Sequence, residues 1–434
     1  MQIYEIMLEN LFQSIAKYNY WEEKTFNLGF IRQQYLTKIS KYLNNRLIKV
    51  LLGQRRSGKS FLLRQIIHYL ITEKQIKPQN IFYLNKEFIG LDAIKNSLDL
   101  NNLFLFYQKK LSISGKIYIF LDEVQNILEW EKFVNSYSQD FTNEYEFFIT
   151  GSNSTLLSGE LATLLSGRYV EFQIFPYNYI EFLKVYQLKD EKNSYLNYLQ
   201  IGGLPEIANF SEPEITRNYV ESLKNTIILR DIIERYAIKD VLLLENLFKF
   251  LLANIGNLTS YSTIVKYFKS QNKRTNYETI SNYVSYILDT FAFYEAERFD
   301  LKGKQILSGV RKFYLNDLAF RYYLHGFKSQ DFGYILENLI YIQLKNHGFK
   351  IYIGNLNNLE IDFVAIKNEQ TIYVQVAYML SNEDTIQREF GNLQKISDNY
   401  PKLVISLDDF QFTDYEGIKH IQAWKFEQWL DDNF

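Results

Sequence analysis

The residues with the most chemistry in their spacing run from Gly53 to Ser60, as Gly53-Gln54-Arg55-Arg56-Ser57-Gly58-Lys59-Ser60. G-x-x-x-x-G-K-S is a phosphate-binding loop when a short apolar strand enters it and a helix leaves it. Leu47-Ile48-Lys49-Val50-Leu51-Leu52 leads in and Phe61-Leu62-Leu63 leads out, so both flanks are of the right kind. Backbone N–H groups of residues 54–60 can wrap phosphate oxygens, and the helix N-terminus behind them favours negative charge. Lys59 can reach the β- and γ-phosphates, and the Ser60 hydroxyl can ligate Mg²⁺. The expected ligands are therefore ATP and Mg²⁺.

A second chemical pair follows at Asp122-Glu123. It closes the apolar run Lys116-Ile117-Tyr118-Ile119-Phe120-Leu121, which reads as a strand buried on both faces. Asp122 would hold Mg²⁺ through water, and Glu123 would orient or deprotonate the attacking water. A chain that carries its own catalytic glutamate reads as a hydrolase of ATP rather than a kinase.

Positioning those groups takes a parallel sheet. Further strands are expected at Asn80–Asn85, Tyr145–Thr150 and Tyr169–Ile174, with a helix ending near Thr72 and another over Leu128–Asp140. Alternation of strand and helix predicts an α/β core with its ligand at the strands' C-terminal edge. Residues 1–46 read as helical and polar, and Phe30-Ile31-Arg32 stands where an apolar side chain could meet an adenine ring. At the end of the fourth strand, Thr150-Gly151-Ser152-Asn153 offers a side chain to sense the γ-phosphate or position water. Asn153 is the first choice and Ser152 the second. Arg168, in Leu165-Ser166-Gly167-Arg168-Tyr169, is the candidate to stabilise transition-state charge, in cis or from a neighbouring subunit of a homo-oligomer.

GQRRSGKS, LDEVQ, ITGSNS, LLSGRYVEFQIFPYNYIEFL and IGGLPE together resemble a large family of bacterial and archaeal AAA-superfamily ATPases. Its members carry a C-terminal region classed as a domain of unknown function. The resemblance covers nearly the whole chain. It implies an ATPase core, a small helical section, a winged-helix segment and a terminal nuclease-like fold.

Composition narrows the alternatives. The 434 residues suffice for two to four domains, and 48 Lys and Arg against 50 Asp and Glu leave a net charge of −2. Any nucleic-acid surface must then be local. The chain has no cysteine and four histidines, which excludes disulfide scaffolds and thiolate metal sites and leaves little for zinc. No signal peptide is evident at Met1-Gln2-Ile3-Tyr4-Glu5, and no apolar stretch approaches the ~20 residues of a membrane span. The expectation is a cytoplasmic protein without membrane partners.

The divisions read from the chain are an ATPase core at 1–176, a helical lid or linker at 177–240, a winged helix at 241–325 and a nuclease-like domain at 326–434. In the linker, Gly202-Gly203-Leu204-Pro205 marks a turn. Beyond it Arg217, Arg230 and Arg235 are candidates for a second nucleotide sensor. In the winged helix, Lys266, Lys269, Lys273 and Arg274 form one acid-free stretch, and Lys302, Lys304, Arg311 and Lys312 decorate the expected hairpin. Such a patch suits duplex or single-stranded DNA. The last domain resembles the restriction-endonuclease-like fold, with Glu337 on a helix and Asp362 on a strand. Where that fold's Glu-x-Lys should follow, this chain has Gln375-Val376-Ala377, so an anionic ligand and the catalytic lysine are both missing and cleavage is not expected. The reading is an Mg²⁺-dependent ATPase acting on or with nucleic acid. The alternatives are a nucleotide-controlled protein-interaction switch and an ATP-gated nuclease.

Overall fold

Short apolar runs separated by helices build the first layer. A computed structural model describes residues 2–22, 24–157, 165, 167–357, 359–380, 382–410 and 415–434. Ser166 of the arginine-bearing stretch lies outside the described residues. Strands β1 (Ile48–Leu52), β2 (Ile81–Asn85), β3 (Ile117–Asp122), β4 (Tyr145–Gly151) and β5 (Tyr169–Gln173) form one sheet in the order β2-β3-β4-β1-β5. Every pairing in it is parallel. The chain divides into two compact units, residues 1–174 and 175–434.

In the first unit the helices are α1 (Gln2–Ala16), α2 (Gln33–Ser40), α3 (Lys59–Thr72), α4 (Ser97–Lys110) and α5 (Trp130–Ser138). Leu62, Leu63, Ile66, Ile67 and Leu70 of α3 pack on Leu51, Phe120, Phe148 and Phe172 of the sheet. That contact fixes the helix start, and hence Lys59, over the end of β1. The expected helix over 1–46 is interrupted, because residues 17–32 have another task. Asn19 exchanges two 2.8 Å hydrogen bonds with the backbone of Tyr83, and the Trp21 indole donates to the Ile81 carbonyl at 2.7 Å. These side chains satisfy the outer edge of β2, which no other described strand covers.

The second unit begins with α6 (Tyr179–Tyr186), α7 (Lys192–Ile201) and α8 (Pro213–Thr226), which runs on into a π-helical stretch at Ile227–Glu234. Next come α9 (Val241–Ala253), α10 (Tyr261–Ser270), α11 (Tyr277–Asp289) and a hairpin of β6 (Phe293–Asp300) and β7 (Gln305–Leu315). Ser260 and Asn276 cap α10 and α11 by accepting the N–H groups of Thr263 and Thr279. The remaining elements are α12 (Ala319–Leu324), α13 (Phe332–Asn346), β8 (Lys350–Leu356), β9 (Leu359–Lys367), β10 (Gln370–Ala377), α14 (Glu383–Gln394), β11 (Lys402–Ser406), β12 (Lys419–Gln422) and α15 (Phe426–Asn433).

The hairpin does not project alone. β6 pairs in parallel with β8 through Arg298–Asp300 and Ile353–Asn355, giving one seven-stranded sheet ordered β12-β11-β10-β9-β8-β6-β7. The division drawn at 325/326 is therefore no break in the sheet. Two of the cations expected to decorate the hairpin are also spoken for, which corrects the sequence reading. Arg311 pairs with Glu295 at 2.8 Å, and Lys312 is buried between Glu337 and Glu360, 2.8 Å from each. The acids responsible lie 16 to 48 residues away, where a local charge count misses them. Lys302 and Lys304 remain exposed.

The paired glycines of IGGLPE have a packing cause. A Cβ on Gly203 would fall 2.0 Å from the Tyr177 carbonyl oxygen, and one on Gly202 would fall 2.1 Å from Asp317 Oδ1. Asp317 accepts the Gly203 and Ala319 N–H groups at 2.8 and 2.9 Å. Burial pushes its carboxyl up to about 7 despite those donors. A carboxyl raised in the folded state binds its proton more tightly there than in the unfolded chain. Stability from this group is therefore full below pH ~4, falls as pH rises, and has gone above pH ~7. Asp317→Asn, which does not titrate, should lack this slope. We expect the melting temperature of the variant relative to the unaltered chain to rise between pH 5 and pH 8, measured by calorimetry; parallel profiles would refute it. No described helix is long and apolar enough to cross a membrane.

Candidate nucleotide-binding site

Strand order brings the chemical residues of the first unit together. β4 lies between β1 and β3, so the loop after β4 opens between the loop after β1 and the acids ending β3. Gly53 turns the chain where β1 leaves the sheet, and a Cβ there would lie 2.2 Å from the Ile174 carbonyl oxygen. Only glycine fits. Gln54 and Ser57 are buried, Arg56 is exposed, and Arg55 pairs with Glu87 at 3.1 Å. Gly58 directly precedes α3, whose first two residues are Lys59 and Ser60. Lys59 Nζ donates to the carbonyls of Gly53 and Gln54 at 2.9 and 3.0 Å, so the ammonium spans the mouth of its own loop.

Asp122 is fully buried and heavily partnered. Its Oδ2 accepts from Tyr83 Oη and Asn85 Nδ2, each at 3.0 Å, and its Oδ1 accepts from the Thr150 hydroxyl at 2.5 Å. The Ser60 hydroxyl lies near enough to pull the Asp122 carboxyl downward as well. Burial, and then the neighbouring Glu123 charge, raise its carboxyl above the usual range, against the pull of those donors. Glu123 adopts a left-handed backbone with φ of 55°, which turns it out of the strand direction, and its N–H donates to Thr150 Oγ1 at 3.0 Å. Gln125 Nε2 donates to the Glu123 carboxylate.

Asn153 has two faces. Its Oδ1 accepts from the Thr155 N–H and hydroxyl at 2.8 and 2.6 Å, a local turn cap. Its Nδ2 is buried with no partner among the described residues, and so is the Ser57 hydroxyl. Two buried polar atoms without partners, a loop of backbone donors, an ammonium and oxygen ligands at Ser60 and Asp122 fit a nucleoside triphosphate with a hard divalent cation. Ser152 is buried beside them, with its hydroxyl 3.5 Å from Gln125 Nε2.

One candidate of this unit stands elsewhere. Arg168 precedes β5, and its carbonyl accepts the Ile48 N–H at 2.8 Å. It is therefore at the strands' N-terminal edge, roughly 16 Å from the phosphate loop at ~3.3 Å per residue along β1. Phe30 and Ile31 lie near α3, because Gln65 Nε2 donates to the Leu28 and Phe30 carbonyls, each at 2.8 Å. Arg217, Arg230 and Arg235 belong to the second unit.

The sequence reading gave no role to Tyr83, Asn85, Thr150, Gln125 or Arg32. Asn85 was findable as a polar residue closing an apolar strand, and its register opposite Asp122 bears that out. Arg32 had no such signal. It is buried and its Nη1 holds the Ser57 carbonyl at 3.1 Å, bracing the loop from outside.

Residues 45–183 match the AAA domain family, and residues 192–331 match a domain of unknown function, DUF8612. An uncharacterized protein of Haemophilus influenzae is 36% identical over 394 residues, spanning 90% of this chain and 96% of that protein. The chain belongs to that protein's family. Uncharacterized protein MJ1544 of Methanocaldococcus jannaschii is 31% identical over 363 residues, 80% of this chain and 78% of its own length. Among solved structures, the Orc1 protein of Aeropyrum pernix in complex with DNA overlaps 68% of this chain and 93% of its own, with 14% identity and a TM-score of 0.32. This family member thus has an AAA-type P-loop core, a nucleotide-binding architecture, followed by a domain of unknown function.

Proposed function

We propose that the chain is an Mg²⁺-dependent ATPase whose turnover drives or gates its second unit on nucleic acid. One observation carries the hydrolytic part: the buried Asp122, with Glu123 directly after it, ends β3 in the same parallel sheet whose β1 leads into the phosphate loop, and Ser60 is near enough to pull its carboxyl downward. Ser60 and Asp122 would hold Mg²⁺, which supplies positive charge at the β- and γ-phosphates when bound. Lys59 neutralises phosphate charge, Glu123 orients or deprotonates the attacking water, and the spare Nδ2 of Asn153 donates to the γ-phosphate. Arg168, at the other end of the strands, serves a neighbouring subunit. Arg168→Ala should then lower turnover with nucleotide affinity nearly intact, and mixing it with Glu123→Gln protein should recover activity through one intact composite site. No recovery, with a monomer by light scattering in ATP, would leave Arg168 a structural role.

The nucleic-acid part is supported by α9, α10 and α11 followed by the β6–β7 hairpin, the element order of a winged helix, and by exposed Lys266, Lys269 and Arg274 with half-buried Lys273. The test is the ATPase rate with single-stranded DNA, duplex DNA and RNA at fixed salt. Stimulation by at least one is expected. A rate indifferent to all three would favour the protein-interaction switch.

A nuclease-like reading of β8–β11 and α13 gains support from Glu337 and Asp362, and one observation favours activity. Lys312 stands beside Glu337 and close enough to Asp362 to interact with its charge. Its ammonium, however, is taken by Glu337 and Glu360. Gln375 is spent as well, accepting the Asp362 N–H and donating to Glu389, each at 2.7 Å. We expect no Mg²⁺- or Mn²⁺-dependent cleavage of either DNA form, with or without ATP. Cleavage that disappears in Asp362→Ala would overturn this.

A further inference from the structure

A cleft of about 530 Å³ opens in the second unit between α8, α9, α10 and the end of α12. Arg217 and Lys224 line it from α8, Lys249 from α9 and Lys273 from just past α10, against one carboxylate, Glu221. None of the four cations takes part in an ion pair among the described residues. Like charges converging on a concavity repel one another and focus a positive field into it, which disfavours the empty arrangement and favours an anion.

The same cleft offers rings. Phe250 and Tyr267 meet at 4.7 Å between centroids with a 48° tilt, and Tyr267 is 45% exposed. Lys273 Nζ lies 5.9 Å over the Phe268 ring, which holds that cation against the aromatic wall. Asn246 and Asn254 each donate one amide N–H to a carbonyl of their own helix, which leaves the amide oxygen to accept and a second N–H to donate. Cations, an exposed ring and amide acceptors in one cleft match a phosphate joined to a flat heterocycle with donor groups. Inorganic phosphate would use only the cations, and an apolar ligand only the rings.

We propose that this cleft binds a nucleotide, its base against Tyr267 and its phosphate among Arg217, Lys224 and Lys249. The volume falls within the ~300–1,000 Å³ of small-ligand sites. A paired base is stacked inside the duplex and does not reach such a wall, so the ligand is an unpaired nucleotide of a single strand or a free one. The single-strand source rests on the nucleic-acid reading above; the free-nucleotide source does not.

The test uses the full chain carrying Lys59→Ala, so that the phosphate loop does not compete. Its probes are a fluorescein-labelled dT 12-mer read by anisotropy and dTMP read by calorimetry. Tyr267→Ala should weaken 12-mer binding by about 5- to 150-fold, the range of a lost base–aromatic stack. Duplex affinity should be unchanged. Lys224→Gln with Lys249→Gln should weaken binding and flatten the log–log salt slope by about 0.7 per lost phosphate contact. Saturable dTMP binding that Tyr267→Ala abolishes, without 12-mer binding, would identify free nucleotide as the source. If the 12-mer binds but ignores both variants, and dTMP does not bind, the cleft proposal is overturned while the nucleic-acid reading stands. If neither probe binds, the proposal is overturned, and duplex binding then decides the nucleic-acid reading separately.

Discussion

Glu123→Gln should bind ATP as the unaltered chain does and turn it over slower by roughly two or more orders of magnitude. Glutamine keeps the shape of the side chain and a polar contact for Gln125, so the loop after β3 has no reason to move. What disappears is the proton acceptor beside the buried, hydrogen-bonded Asp122. Lys59→Ala should behave differently. Its ammonium is the positive charge over the loop mouth, 2.9 Å from the Gly53 carbonyl, so its loss should weaken both nucleotide binding and turnover. Fluorescent-nucleotide titration together with phosphate release separates the two. Equal turnover in Glu123→Gln and the unaltered chain would remove Glu123 from the mechanism.

Lys312→Met should destabilise the second unit by about 3–5 kcal/mol, as when one partner of a buried ion pair is removed. Lys312 is 3% exposed and its ammonium holds Glu337 and Glu360. Tyr314 Oη donates to the same Glu337 oxygen at 2.7 Å. Burial alone would favour a neutral lysine, but the charges of Glu337, Asp362 and Glu360 more than offset it and hold the cation. Asp362 is half-buried, and desolvation followed by the Glu337 charge push its carboxyl well up. Removing this cation leaves those carboxyls facing one another in a poor solvent. Lys312→Met with Glu337→Gln should regain part of the loss, since the pair is then replaced rather than broken. Denaturant melts measure both. A single variant within about 0.5 kcal/mol of the unaltered chain would show that the cluster contributes nothing.

The sequence alone determined the phosphate loop, the Asp122-Glu123 pair and the strands that carry them. A loop that wraps phosphate does so with consecutive backbone N–H groups, so spacing along the chain is already geometry. A strand buried on both faces likewise declares itself as an apolar run. One residue of the first strand is not apolar: Lys49 sits at 0% exposure inside β1. Its ammonium is 2.6 Å from Glu146, which also meets Lys116 at 2.7 Å. That pairing exists only because β4 lies beside β1 in this register.

Everything else of consequence was decided by strand order and register, which hydrophobic pattern does not encode. Tyr83, Asn85 and Thr150 surround Asp122 because β2 and β3 are neighbours and β4 follows. Arg168 is carried away from the phosphate loop because β5 runs parallel to β1, which puts the start of one beside the start of the other. The basic hairpin loses Lys312 to Glu337 and Glu360, and β6 joins β8 across more than fifty residues of chain. Contacts of that range form where the folded sheet brings them. The chain's local spacing therefore determined which chemistry was present, and the tertiary structure decided which residues act in it together.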